Sequence, residues 1–122
     1  MIKINKTLQL ITKLIRLTSE HNIEWQTGDI PRFLTAGTDD IISSYYEATS
    51  GGKNFILYKR RYETYSAEFD RLYWNETVVL AIVENNRIVW SNTQYMPAIN
   101  DLFEYVQEQA SGIDDYLDDF LD

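Results

Sequence analysis

Lys59-Arg60-Arg61, with Tyr58 and Tyr62 on either side and Tyr65 and Arg71 close by, is the one basic-aromatic cluster in the chain. Residues of these types suit single-stranded nucleic acid, where aromatic rings stack on bases and cations follow phosphates. A sheet carrying Tyr58, Lys59, Arg60 and Arg61 is therefore one functional reading. Against it, the run is short, has no RNA-binding signature and stands close to Glu63 and Glu68. Tyrosines on strands also serve as half-buried packing residues. Other reactive residue types are sparse. Glu63, Glu68 and Asp70 are spaced in a way that does not by itself assemble a general acid and base. His21 is the sole histidine and stands at a predicted helix C-terminus, where a cation is favoured, so it reads as a cap. With no cysteine, disulfides, thiolate metal sites and thiol nucleophiles are excluded. No phosphate loop, dinucleotide fingerprint or nucleophile elbow is present. The residues predict no cofactor, no metal site and a non-catalytic protein. An enzyme with its cleft in the loop at 27–40 is the alternative.

The strongest pattern lies at the end of the chain, in Ser111-Gly-Ile-Asp-Asp-Tyr-Leu-Asp-Asp-Phe-Leu-Asp122. Ile113, Tyr116, Leu117, Phe120 and Leu121 recur with the period of one helix face, and Asp114, Asp115, Asp118, Asp119 and Asp122 fill the other. The aspartates lack the spacing and the central glycine of a calcium loop. Alone, the segment is a poor helix. It is at or below the ~12–15 residues an isolated helix needs, and acids are misplaced at a helix C-terminus. So regular a stripe on so weak a helix predicts a docking segment. Either its aspartates face Lys6, Lys13 and Arg16 while its apolar face completes the core, or it enters the groove of a partner or a second copy as a helix, with a disordered tail as the remaining alternative. Where it docks, in cis or in trans, Tyr116, Leu117, Phe120 and Leu121 are the anchors, and Asp114, Asp115, Asp118 and Asp119 select a basic surface.

Charge is distributed to match. The net −8 of the 122 residues lies wholly in residues 88–122, which hold 8 acids and no Lys or Arg, whereas residues 1–18 hold four cations and no acid. Such an end disfavours phosphate backbones and favours a basic protein partner or self-association. The longest apolar run, Val78–Val83, is six residues, far from the ~20 that span a membrane. Thr12, Lys13 and Arg16 break the leading apolar stretch, so no signal peptide is read and a cytoplasmic address is expected.

The elements that carry these residues follow from periodicity. Asn5 to Glu20 reads as a helix with Asn5 as N-cap and His21-Asn22 at its end. Ile23-Glu-Trp25 reads as extended, and Pro31 demotes the following piece to an edge strand or loop. Ile41–Ala48, Asn54–Tyr62, Thr64–Tyr73, Thr77–Val83 and Ile88–Trp90 read as strands. Turns are expected at Ser50-Gly-Gly52 and Glu84-Asn-Asn-Arg87, and Tyr65, Ala67, Phe69 and Tyr73 are predicted on one face. Trp25, Trp74 and Trp90 are expected as core anchors; one exposed beside the tyrosine-rich sheet becomes a hot-spot candidate. Pro97 opens and Gly112 closes a last full helix. The prediction is an α+β domain over residues 1–110: an N-terminal helix, an antiparallel β-meander of about four to six strands, and a C-terminal helix, followed by an acidic amphipathic tail helix over 111–122.

Leu10-Ile-Thr-Lys-Leu-Ile-Arg-Leu-Thr18, Ile23-Glu-Trp25, the hairpin segment Asn54–Lys59, and Asp101–Gln109 followed by Gly112–Leu117 together resemble a loose group of small uncharacterised bacterial and phage-borne proteins. The resemblance covers residues 8–25 and 101–121, and 50–95 as a pattern only. It implies a helix-meander-helix fold with the tail as a regular part of it, and it implies no activity. An inhibitor that imitates nucleic-acid charge is a corollary of the acidic end.

Overall fold

Two pairs of residues with positive φ fold the middle of the chain into a meander. Gly51 and Gly52 (φ 59° and 74°) and Asn85 and Asn86 (φ 52° and 60°) each supply the two left-handed residues of a tight hairpin turn. The computed structural model describes residues 2–92 and 94–122, with side chains from Lys6 onward. Its elements are α1 (Ile2–Ser19), a 3₁₀ turn at Arg32–Leu34, β1 (Ile41–Ser50), β2 (Lys53–Ser66), β3 (Arg71–Glu84), β4 (Arg87–Ser91), α2 (Pro97–Ser111) and α3 (Ile113–Leu121). The four strands are antiparallel in the order β1-β2-β3-β4. The α+β fold is thus the expected one, with the strand number at the low end.

One face of the sheet is covered by α1 and α2. Ile11 and Leu14 of α1, and Ile99, Leu102, Phe103 and Val106 of α2, pack on Tyr46, Ala48, Phe55, Leu57, Val78 and Leu80, with Ile23 and Trp25 closing the edge. The opposite face carries a smaller cluster of Leu34, Tyr45, Ile56, Tyr58 and Ala81, shielded by Phe33. Alternation along each strand produces the two sets, since successive side chains point to opposite faces.

Several local expectations need correction. α1 begins at Ile2, so Asn5 lies inside its first turn and is not the N-cap; in the sequence Ile4 already stands in the row of Leu8, Ile11 and Ile15. Ile23–Trp25 forms no strand; only Gln26 bridges, to Glu47. The expected strand at 64–73 is instead the end of β2, a turn at 67–70 and the start of β3, with Asp70 at φ 48°. Ser66 pairs with Arg71 and Tyr65 with Leu72, which puts Tyr65 and Tyr73 on opposite faces. Asp70 takes the left-handed position that Asp tolerates better than most side chains, and its carboxylate accepts the Tyr65 hydroxyl proton.

His21 does end α1. Its N–H bonds to the Thr18 carbonyl (3.1 Å), and that of Asn22 reaches the Leu17 carbonyl (2.8 Å), the Schellman arrangement, with His21 at φ 59°. A histidine in that conformation is strained where glycine is not. His21→Gly is therefore expected to raise stability by about 0.5–1 kcal/mol, measured by denaturant unfolding.

Candidate functional site

α3 is a formed helix that covers nothing. Gly112, at φ 67° and ψ 21°, terminates α2 and turns the chain, and Ser111 Oγ spans the break by donating to the Glu108 carbonyl (2.7 Å) and accepting the Ile113 N–H (3.2 Å). No residue of α3 is buried: Tyr116 is 68%, Phe120 81% and Leu121 78% exposed, and Ile113 and Leu117 are exposed as well. Asp114 and Asp115 stand in its first turn, where the helix dipole favours acids, and Asp118 and Asp119 lie further on, where it does not. Among the described residues, none of the tail aspartates forms an ion pair, so the expected approach of this face to Lys6, Lys13 and Arg16 is absent. The structure does not take the folded-back alternative: the anchors and the acids occupy opposite faces of a projecting helix.

What precedes Gly112 is held firmly. Gln109 lies on the same stripe of α2 as Leu102 and Val106, yet it is polar. Its Nε2 donates to the carbonyls of Ile23 (2.8 Å) and Thr18 (3.3 Å), and its Oε1 accepts the Trp25 N–H (2.8 Å). The buried Thr18 hydroxyl donates to the Leu14 carbonyl (2.7 Å) and accepts the Trp25 indole N–H (3.0 Å). This node joins the C-terminal ends of both helices to the Ile23–Gln26 segment and fixes the point from which α3 departs. The sequence reading missed Gln109; the available signal was a polar residue on an apolar stripe.

A second exposed apolar surface lies at the far end of the β2–β3 hairpin. Pairing with β1 stops at Ile41↔Arg61 and pairing with β4 at Ala81↔Ser91, so Tyr62–Ser66 and Arg71–Asn75 form a two-stranded arm. On the helix side of the sheet the arm shows Tyr65 (56% exposed), Leu72 (61%) and Trp74 (44%), with Ile41 beside them. Trp74 is thus the exposed tryptophan, while Trp25 is buried and Trp90 packs against the core. The Arg61 guanidinium lies 5.6 Å from the Trp74 ring centre, and that of Arg71 lies 5.7 Å from the ring of Phe69.

The basic-aromatic cluster does not share one surface. Lys59 and Arg61 face the helices and Tyr58 and Arg60 the other side. Tyr58 is buried, and burial pushes its hydroxyl pKa up. Lys59 lies over the Phe103 ring (4.6 Å) and 3.7 Å from Glu76; Arg60 lies over Tyr62 (4.6 Å) with Nε 3.4 Å from Asp40. Tyr58 therefore offers no free ring for a base to stack on.

Beside the 27–40 loop is an open depression of about 530 Å³, lined by Pro31, Phe33, Tyr45 and Glu47 among others. Two close polar pairs line it: the Thr49 hydroxyl donates to Asn54 Oδ1 at 2.9 Å, and the Tyr45 hydroxyl to Glu47 Oε2 at 2.9 Å. Burial, then that hydrogen bond and the carboxylate charge, push the Tyr45 pKa well above its ordinary value of 10.0. A phenol so raised keeps its proton near neutral pH and is neither base nor nucleophile there. The folded state favours the protonated form, so the stability it contributes is complete below about pH 10 and falls as pH climbs towards the raised value. Tyr45→Phe is expected to flatten the loss of stability above pH ~10, read from unfolding midpoints across alkaline pH.

Among the described residues no cluster of three or more potential metal ligands occurs, and no helix is long and apolar enough to cross a membrane. No family model, curated protein or solved structure matches this chain. Fold and site together define an antiparallel α+β meander domain that carries a projecting acidic amphipathic helix.

Proposed function

We propose that this protein is a small, non-catalytic protein-binding module whose α3 enters a partner's groove. The observation that carries the reading is the exposure of all five apolar side chains of α3 on a formed helix. Helix-in-groove recognition uses anchors at this spacing, here Ile113, Tyr116, Leu117, Phe120 and Leu121. The partner is a protein whose apolar groove has a basic rim, because the other side of the helix presents only carboxylates and residues 88–122 contain no Lys or Arg. Gly112 sets the angle at which the helix is offered, and the Gln109 node fixes the base from which it projects.

The test uses the full chain as bait, with Leu117→Asp/Phe120→Asp as control. A retained protein is then purified and its affinity measured directly. The expected result is binding that the variant loses and that weakens from about 0.1 M to about 1 M salt, as the screening length shrinks from about 10 Å to about 3 Å. Retention indifferent to the double variant rejects the helix as the docking element. Affinity indifferent to salt rejects the basic rim.

A further inference from the structure

The helix layer leaves part of its own sheet face bare. α1 and α2 cover Phe55, Leu57, Val78 and Leu80, but past Arg61 and Glu76 the same face continues into the arm, where Tyr65, Leu72 and Trp74 lie open beside Ile41. A two-stranded hairpin is marginal in water unless something packs on it. In layered folds an amphipathic helix is the usual cover for such a face. Among the described residues, α3 is the amphipathic helix whose apolar face has no cover.

α3 cannot cover the outer end of the arm of its own molecule. It departs beside Gln26, with which Gly112 shares a shallow pocket. Gln26 bridges Glu47, which is level with Ile56 on β2. From Ile56 to Tyr65 is nine residues along the strand, or about 30 Å at ~3.3 Å per residue. The nine residues of α3 span only about 14 Å at ~1.5 Å per residue. The helix falls short of Tyr65 and Leu72, the far part of the patch.

We infer that the groove is on a second copy: α3 of one molecule lies across the helix-side face of the β2–β3 arm of another, with Tyr116, Leu117, Phe120 and Leu121 against Tyr65, Leu72, Trp74 and Ile41. This rests on the docking-helix reading above and names its partner. Charge fixes which way the helix faces. Arg61, held over Trp74, has no carboxylate partner among the described residues and is the cation on this face, while Arg71 alternates with Leu72 and lies on the other. Glu63, across from Trp74, and Asp70, bonded by the Tyr65 hydroxyl, keep the aspartate face of the helix turned away from the strands. Since each molecule gives one helix and receives one, a two-fold arrangement makes both contacts at once and closes the pair. Aromatic side chains bury about 150–250 Å² each, so two such contacts reach the ~1,200 Å² of a stable interface even from half-exposed residues.

Light scattering and sedimentation over a range of concentrations test this. The full chain is expected at twice 14.4 kDa, and a chain ending at Ser111 and a Leu72→Ser/Trp74→Ser variant each at the mass of its own single chain, with an unchanged circular dichroism spectrum apart from the loss of α3. Dissociation constants rise about a hundredfold or more on losing these central anchors. Mixing the truncated chain with the arm variant restores one intact contact, so heterodimers form from two species that are monomeric alone. The changed positions are exposed, so a spectrum showing misfolding is answered by this mixing arm, which needs both chains folded. A full chain that stays monomeric up to near-millimolar concentration overturns the inference while leaving tail-dependent capture of another protein standing. A dimer that survives truncation, or that only the arm variant breaks, also overturns it and points to strand pairing along the open edge of β3. A monomer that captures nothing through its tail ends both readings.

Discussion

Gln109→Leu is expected to lower the free energy of unfolding by about 3–4 kcal/mol, as much as the loss of a large core side chain. Leucine is close in volume and continues the stripe of Leu102 and Val106, so the loss is not one of packing. It comes from three backbone groups. The Trp25 N–H loses its acceptor at 2.8 Å, the Ile23 carbonyl its donor at 2.8 Å, and the Thr18 carbonyl a longer contact at 3.3 Å. Ile23 and Trp25 are buried, so water cannot replace those bonds without opening the edge of the core. A buried polar group left unsatisfied costs about 1–3 kcal/mol, and two are created at short range. Denaturant unfolding reads the change. Gln107→Leu, on the exposed side of the same helix, is the control and is expected within about 0.5 kcal/mol of the native chain. If both variants behave alike, the node does not hold the two helix ends and the departure point of α3 is not fixed in the way described.

What could be read from the sequence was whatever a single residue type decides locally. Gly51-Gly52 and Asn85-Asn86 tolerate positive φ, so two hairpins followed; Pro97 and Gly112 bracket α2 because one lacks an N–H and the other lacks a Cβ. The arm was not legible. Its turn contains neither Gly nor Pro, and Asp70 takes the left-handed position instead, so the pattern through Tyr65, Ala67, Phe69 and Tyr73 passed for one continuous strand. The alternation that separates Tyr58 and Arg60 from Lys59 and Arg61 was legible all the same, since it follows from the two-residue period of a strand from Asn54 to Tyr62. Nor could the role of Gln109 be foreseen, since its partners lie more than 80 residues away in sequence and meet it only once Ile23–Gln26 has crossed to β1. For the tail, periodicity defined the helix and its two faces but was silent on whether the apolar face would find cover, because that depends on the direction in which Gly112 sends the chain.

That direction separates stability from binding, and the second large effect follows. Phe120→Asp is expected to weaken partner binding by at least two orders of magnitude while shifting the melting temperature by less than about 1 °C. In the free protein Phe120 is 81% exposed, so the substitution removes no packing and adds one more carboxylate to a face already in water. In the complex the same side chain is an anchor. Losing the burial of a Phe costs about 1.5–3 kcal/mol, and placing an unpaired charge in an apolar groove adds more, against about 1.4 kcal/mol for each factor of ten in affinity. Asp119→Asn at the neighbouring position is the counterpart: it removes a charge from the outer face and leaves the anchors alone. Its effect is expected to be less than about tenfold and to vanish at high salt, as for a charge at an interface rim. Calorimetric titration with the purified partner, or sedimentation if that partner is a second copy, gives both numbers, and melting curves give the control. A large drop in melting temperature for Phe120→Asp would mean that α3 packs on its own domain in solution. A small effect on binding would move the contact surface to the arm around Trp74, where Tyr65 and Leu72 also stand in water.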